Sequence, residues 1–222
     1  MTAIAIDGPA GAGKSTIARK VAAALGYIYV DTGALYRTIG YFAISRGVDL
    51  HDAAALQGLL LGARIELRFI DTEQRVFLND ADVTPKIRTE SVSMASSAVA
   101  ALPSVREYLL DLQRGIAAQN NVVMDGRDIG TAILPDAKVK IFLTASPEER
   151  ARRRYEELLD KGVSADYGAV LADLKQRDYD DSHREASPLR RAADAVAVDT
   201  TGKTLEEAVD MVIKIVKEQL SK

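Results

Sequence analysis

The chain contains no cysteine and only two histidines, His51 and His183, among its 222 residues. Disulfides, thiolate metal centres and cysteine nucleophiles are therefore excluded, and a His-rich metal site or a Ser-His-Asp relay has too little material. No apolar run approaches the roughly 18 to 20 residues that span a bilayer, and a start carrying Asp7 and Lys14 lacks a signal-peptide pattern. The 29 Lys and Arg against 32 Asp and Glu leave a net charge of −3. No overall basic field would hold a nucleic-acid polymer, so any phosphate recognition must be local. A soluble, cytoplasmic protein is expected, a monomer with neither membrane nor nucleic-acid partner. At about 150 residues per domain the length allows one large or two small domains, enough for a real core.

Short β-type runs alternate with helical segments, the pattern of a parallel sheet covered by helices on both faces, so the class is α/β. The expected strands are Ala3 to Asp7, Tyr27 to Asp31, Val122 to Asp125, Val139 to Thr144 and Ala195 to Asp199. They are mostly apolar, as strands buried on both faces must be. Four of these five runs close on Asp. Ligands gather outside the carboxyl ends of parallel strands, which predicts Asp7, Asp31, Asp125 and Asp199 around one crevice. One stretch departs from this pattern. Arg64 to Phe69 alternates, with Ile65, Leu67 and Phe69 on one face; Asp71 to Gln74 reads as a turn before Val76 to Leu78. This predicts a small antiparallel insertion over 63–95, leaning on the main sheet, with 1–62 and 96–222 as the core. Pro103 suits a first helical position, followed by a stripe of Val105, Leu109, Leu112 and Ile116. There is no internal repeat, low-complexity tract or flexible linker.

The strongest chemical signal is Gly8-Pro9-Ala10-Gly11-Ala12-Gly13-Lys14-Ser15-Thr16, the phosphate-loop pattern of Gly, four residues, Gly-Lys and Ser or Thr. It follows a predicted strand and opens a helical stripe of Ile17, Val21 and Leu25 ended by Gly26. Glycines let successive backbone N–H groups converge on phosphate oxygens, a nest that side chains would obstruct. The helix N-terminus adds about half a positive charge; Lys14 can reach the β and γ phosphates and the Ser15 hydroxyl can bind Mg²⁺. A Gly-rich turn beside a solvated lysine is the bland alternative, and it needs none of this strand-loop-helix context.

Such a loop leaves the acceptor open, because switches, motors, transporters and kinases all use one. No Asn-Lys-x-Asp stretch reads guanine, and no Ser-Gly-Gly stretch of the transporter type is present. Asp199-Thr-Thr-Gly202 matches a switch motif but sits late in the chain, so it reads as chance. Arginines are plentiful instead: Arg37 and Arg127 near strand ends, then Arg150, Arg152, Arg153, Arg154, Arg177 and Arg184. Their planar, permanently charged forks pair bidentately with phosphate, as a site for two phosphorylated substrates requires. Arg150, Arg153 and Arg154 share a helix face. The competing reading makes 150–154 a solvated face paired with Glu148, Glu149, Glu156 and Glu157. Asp181 with Arg177 and Arg184, at spacings of four and three, fall on one helix face and can converge on a ligand or simply pair with each other.

These segments carry a resemblance. The loop, Asp31-Thr-Gly-Ala-Leu-Tyr-Arg37, Ser96-Ser-Ala-Val-Ala100 leading to Pro103-Ser-Val-Arg106, Asp125-Gly-Arg-Asp-Ile-Gly130 and Arg177-Asp-Tyr-Asp-Asp-Ser-His-Arg184 together resemble the bacterial cytidylate kinases. The likeness runs from Ala3 to about residue 199, in the expected order. It implies phosphoryl transfer from ATP, with Mg²⁺, to CMP or dCMP. It also implies a core, a monophosphate-binding insertion and a helical lid over 149–165. By the same resemblance Thr32, Arg37 and Arg127 would meet the acceptor phosphate. Ser97, Arg106 and Asp128 would read the base, and Arg177, Asp181 and Arg184 would meet ribose and phosphate. Lys14, Arg127, Arg153, Arg154, Arg177 and Arg184 would carry catalysis. Thr32 departs from the serine usual in relatives but keeps the hydroxyl. His51 and His183 are left as bystanders. Kinases of UMP, dTMP or shikimate, and a nucleotide-binding switch, remain as alternatives.

Overall fold

The structure, a computed structural model of the chain, describes residues 1–71 and 73–221. A five-stranded parallel sheet runs in the order β2-β6-β1-β7-β8. Its strands are β1 (Ala3–Asp7), β2 (Ile28–Asp31), β6 (Val122–Gly126), β7 (Val139–Thr144) and β8 (Val196–Asp199). On one face Ile4, Ile6, Val123, Ile141 and Leu143 pack against α1 (Lys14–Leu25) and α8 (Leu205–Leu220). On the other, Ala5, Val30, Val122 and Met124 meet Ala117 of α5 (Pro103–Gln119) and Ile129 and Ile133 of a single π-helical turn, Ile129–Ile133. Burial from both sides explains why the strands read as unbroken apolar runs.

Register places Asp31 opposite Asp125 and Asp7 opposite Gly126. Asp31 and Asp125 therefore stand level on adjacent strands, and Asp7 lies one position further along the next strand. Asp199 does not join them: β8 is the far edge strand, and the Asp199 carboxylate accepts from the backbone N–H and hydroxyl of Thr201.

The insertion is a three-stranded antiparallel sheet of β3 (Ile65–Ile70), β4 (Glu73–Leu78) and β5 (Ala81–Asp82). Glu73 and Gln74 belong to β4, so the turn is shorter than the sequence suggested; of that expected turn, Thr72 lies outside the described residues. The small sheet leans on the core of the parallel sheet through Leu67 and Phe69, two of the three apolar positions expected on its inner face, and it is also covered by helices. Ile65, Val76, Leu78, Val83 and Ile87 share one core with Leu35 and Ile39 of α2 (Thr32–Ser45), Leu56 and Leu60 of α3 (Ala53–Leu61), Val99 of α4 (Glu90–Ala100) and Leu109 of α5. An amide side chain also ties it to the parallel sheet: Gln74 accepts the Asp31 N–H at 2.8 Å and donates to the Asp31 carbonyl at 3.2 Å. Because β2 is an edge strand, Gln74 satisfies backbone groups that a further strand would otherwise pair.

Helix starts follow side-chain caps. Asp31, Asp52, Thr89, Ser146 and Asp166 accept from the first turns of α2, α3, α4, α6 (Pro147–Asp160) and α7 (Tyr167–His183), satisfying donors that lack an intrahelical partner. In α5 the buried line is Val105, Leu109, Gln113 and Ala117, whereas Leu112 and Ile116 are half-buried. The apolar stripe is thus displaced, with a glutamine inside it that donates to the Leu109 carbonyl.

Candidate active site

The phosphate loop fills the connection between β1 and α1. Gly8 has φ +152, and a Cβ there would lie 1.9 Å from the Leu143 carbonyl oxygen. Only glycine lets the loop pass this close to β7. Gly13, at φ +81, caps α1 in the left-handed conformation. Lys14 is buried, and its Nζ donates to the Pro9 carbonyl at 2.7 Å. Burial first, then the neighbouring Arg127 charge, pushes its pKa down to about 7.

Ser15 Oγ donates to Asp125 Oδ2 at 2.9 Å, and the Tyr29 hydroxyl donates to the other oxygen at 2.9 Å. Burial, then the Asp31 charge, pushes Asp125 up to about 6. A hydroxyl beside a carboxylate at the loop's end is the hard oxygen set that Mg²⁺ takes, the rest of its shell coming from water and phosphate oxygens. Among the described residues no group of three His, Asp or Glu could hold a metal alone. Asp7 accepts the N–H of Ile129 at 2.7 Å and of Gly130 at 2.8 Å, fixing the π turn that follows Arg127 and Asp128. Its own pKa rises to about 6 through burial.

Beside the loop lies a cluster of arginines and aspartates. Thr32 Oγ1 donates to the Asp125 carbonyl at 2.8 Å. Arg37 and Arg88 both donate to Asp31 Oδ2, at 2.6 and 3.2 Å. Burial alone would raise Asp31; Arg37 and Arg88 overcome it and hold the carboxyl below its usual range. Arg37 Nε is buried with no hydrogen-bond partner among the described residues. Arg127 Nε donates to Asp181 Oδ2 at 2.7 Å. Asp128 pairs with Arg106 and lies 3.5 Å from Arg184, which is 3.8 Å from Asp181. Burial keeps Asp128 above the ordinary carboxylate range despite the Arg106 charge, and burial lowers Arg184. The Arg106 guanidinium also covers the Tyr36 ring at 5.5 Å.

Arg106, Arg127, Asp128, Asp181 and Arg184 are thus brought into one network by α5, β6 and α7. Arg177 stands apart, paired with Asp173 at 3.2 Å, and Ser97 is exposed on α4. The expected common face of Arg150, Arg153 and Arg154 divides. Arg154 is exposed and pairs with Glu157; Arg153 pairs with Glu149 and donates to the Thr200 carbonyl at 2.8 Å, tying α6 to the loop after β8. Arg150 turns inward beneath the phosphate loop. Arg152 pairs with Glu149 and Glu156, the solvated arrangement. Sequence reasoning missed Arg88 and Gln74, which lie in the insertion and its tail where no motif marks them. It placed Asp31 and Asp125 at the crevice but assigned neither of them the partners found here.

A Gly-rich loop that can bind phosphates, set over the same sheet end as a cradle of guanidinium groups, defines a phosphate-loop kinase acting on a small phosphorylated molecule. A family model described as cytidylate kinase matches residues 4–218, and the chain belongs to the cytidylate kinase family. It is 52% identical over 217 residues to the cytidylate kinase of Geobacillus kaustophilus, covering 98% of this chain and 97% of that one. It is 51% identical over 213 residues to that of Carboxydothermus hydrogenoformans, covering 96% of each. Among solved structures, an uncharacterized protein from Eubacterium ventriosum shares the fold, with a TM-score of 0.52 at 14% identity over 98% of this chain and 99% of that one. Among the described residues no helix is long and apolar enough to cross a membrane.

Proposed function

We propose that the chain transfers the γ-phosphoryl group of ATP to CMP and dCMP, giving ADP and the pyrimidine diphosphate. The observation that carries this reading is the pair of Arg106 and Asp128, joined through Arg184 and Asp181 to Arg127, two residues from the Asp125 carboxylate that Ser15 of the loop binds. A base-reading pair at one end and a phosphate-binding lysine at the other fit a nucleoside monophosphate laid end to end with a triphosphate.

The donor phosphates sit on the loop amides of Gly8 to Thr16, with Lys14 between the two substrates. Ser15 and Asp125 would hold Mg²⁺, which when bound would neutralise charge on the phosphates. Thr32, Arg37 and Arg127 bind the acceptor phosphate, which exchanges the Asp31 and Asp181 carboxylates for phosphate oxygens as partners of the guanidinium forks. No strong general base is needed, because a phosphate oxygen is already a nucleophile at neutral pH. Cytosine presents a donor amine at N4 and acceptors at N3 and O2; Asp128 accepts from the amine and Arg106 donates to the acceptors. Uracil turns an oxygen toward the carboxylate, leaving buried acceptors unpaired. Arg177, Asp181 and Arg184 meet ribose and phosphate, with Arg177 leaving Asp173 to do so. The segment 63–95 serves as the monophosphate-binding insertion, and 149–165 as a lid that hinges on its first turn, where Arg150 stays held to Ala145, Ala10 and Asp178, and whose closure excludes water and brings Arg153 and Arg154 toward the donor. The enzyme works in the cytoplasm as a monomer.

Coupled ADP-release assays with CMP, dCMP, UMP, AMP and shikimate test this. CMP and dCMP are expected to support turnover at least a hundredfold faster in kcat/KM than the others; preference for another acceptor would overturn the reading.

A further inference from the structure

Arg150 is the most deeply buried arginine of α6, at 3% exposure, and each of its three guanidinium nitrogens donates to an acceptor within the protein. Nε donates to the Ala145 carbonyl at 2.9 Å, and Nη1 donates to the Ala10 carbonyl at 2.8 Å. Both terminal nitrogens also grip the Asp178 carboxylate of α7, at 3.1 and 2.6 Å. The fork therefore joins three parts of the fold: the end of β7, the phosphate loop and α7.

The bond to Ala10 matters because of what the same peptide carries on its other side. Among the described residues no peptide bond is cis. In a trans peptide the C=O and the following N–H point in opposite directions within one rigid plane. Holding the Ala10 oxygen down therefore holds the Gly11 N–H up, away from α6 and toward the side where a nest of amides receives phosphate. Gly11 has φ +72, and a Cβ there would come within 3.3 Å of Arg150 Cβ and 3.7 Å of Leu174. The loop is pressed directly onto the helix pair. A peptide in a glycine-rich loop has little else to choose its orientation, since glycine populates both signs of φ with similar ease.

The geometry points to Arg150 as a positioning residue for the donor site, presetting the Gly11 amide, with Asp178 as the anchor that keeps the guanidinium fork in place. Asp178 neighbours Arg177 on α7 and lies one turn from Asp181, so the helix proposed to face the acceptor also braces the donor loop. This inference rests on the reading of residues 8–16 as the donor phosphate site. It needs no contact between Arg150 and nucleotide. Lysine at position 150 keeps a charge but presents no planar fork, and cannot reach Ala10, Ala145 and Asp178 together.

The test compares wild type with Arg150→Lys and Asp178→Asn, first confirming by circular dichroism that each is folded, then titrating ADP and CMP separately. In Arg150→Lys, ADP binding is expected to weaken at least tenfold while CMP binding stays within twofold, and the Gly11 amide resonance is expected to shift. Asp178→Asn should weaken ADP binding about threefold in the same direction, and it carries the test should Arg150→Lys fail to fold. ADP affinity within twofold of wild type in the folded variants would overturn the inference, as would parallel losses of ADP and CMP affinity. Wild type that fails to bind ADP would instead overturn the donor-site reading itself.

Discussion

Replacing Asp128 by asparagine removes one charge from a site where almost no water can compensate. Its side chain is 4% exposed, pairs with Arg106 and lies 3.5 Å from Arg184. In the proposed complex it accepts a hydrogen bond from the cytosine amine, and bonds to a charged partner contribute about 1.5 to 3 kcal/mol. At about 1.4 kcal/mol per factor of ten, kcat/KM for CMP should fall roughly 10- to 150-fold in Asp128→Asn. UMP should behave differently. The asparagine amide can turn its NH₂ toward the uracil oxygen, replacing a repulsive contact of two acceptors by a hydrogen bond. The CMP-to-UMP ratio should therefore fall by more than the loss on CMP alone. Coupled ADP release with each acceptor, at saturating ATP, measures the ratio directly, and a melting curve shows whether Arg106 and Arg184 tolerate the lost counter-charge. Equal losses on CMP and UMP, leaving the ratio unchanged, would refute the assignment of Asp128 to the base.

Three further outcomes follow from the same geometry. Lys14, with its pKa pushed down to about 7, is mostly neutral at pH 8, and a phosphate beside it draws the proton back. ADP binding at pH 8 should take up about one proton, seen by calorimetry as a heat that depends on buffer ionisation; Lys14→Met should abolish the dependence, and a buffer-independent heat in wild type would refute it. Gly8→Ala puts a Cβ 1.9 Å from the Leu143 carbonyl oxygen. A cost of about 3 kcal/mol or more should lower Tm by roughly 6 to 12 °C; a Tm within about 2 °C of wild type would contradict the close approach. Gln74→Leu deletes both bonds to the Asp31 backbone. The proposed acceptor cradle should loosen, raising KM for CMP several-fold with KM for ATP unchanged; equal effects on both would argue against a local clamp.

The strands of the parallel sheet were legible because burial on both faces leaves a simple mark, an apolar run closing on a polar residue. β1 and β7 fall where the runs predict, to the residue. The hairpin was legible from its alternation, but its turn was drawn too long because Glu73 and Gln74 look like turn residues and are strand. Gln74 is polar for a reason invisible in a single segment: it pairs with an edge strand 43 residues away. An even greater distance in sequence hid the bond between Ser15 and Asp125, 110 residues apart. Motif spacing located the phosphate loop, since its chemistry is local backbone geometry. Periodicity alone grouped Arg150 with Arg153 and Arg154, yet helical spacing does not tell which arginine lies under a neighbouring loop. That depends on how α6 and α7 pack over Ala10, which only the tertiary structure specifies.

A single cleft that passes a phosphoryl group between two nucleotides must release both diphosphates together. Following the purified protein with ATP, Mg²⁺ and CMP by ³¹P NMR tests it most directly. CDP and ADP signals should grow together in equal amounts, and omitting CMP should leave ATP intact. ADP accompanied by inorganic phosphate without CDP, or ATP that persists with CMP present, would contradict the account.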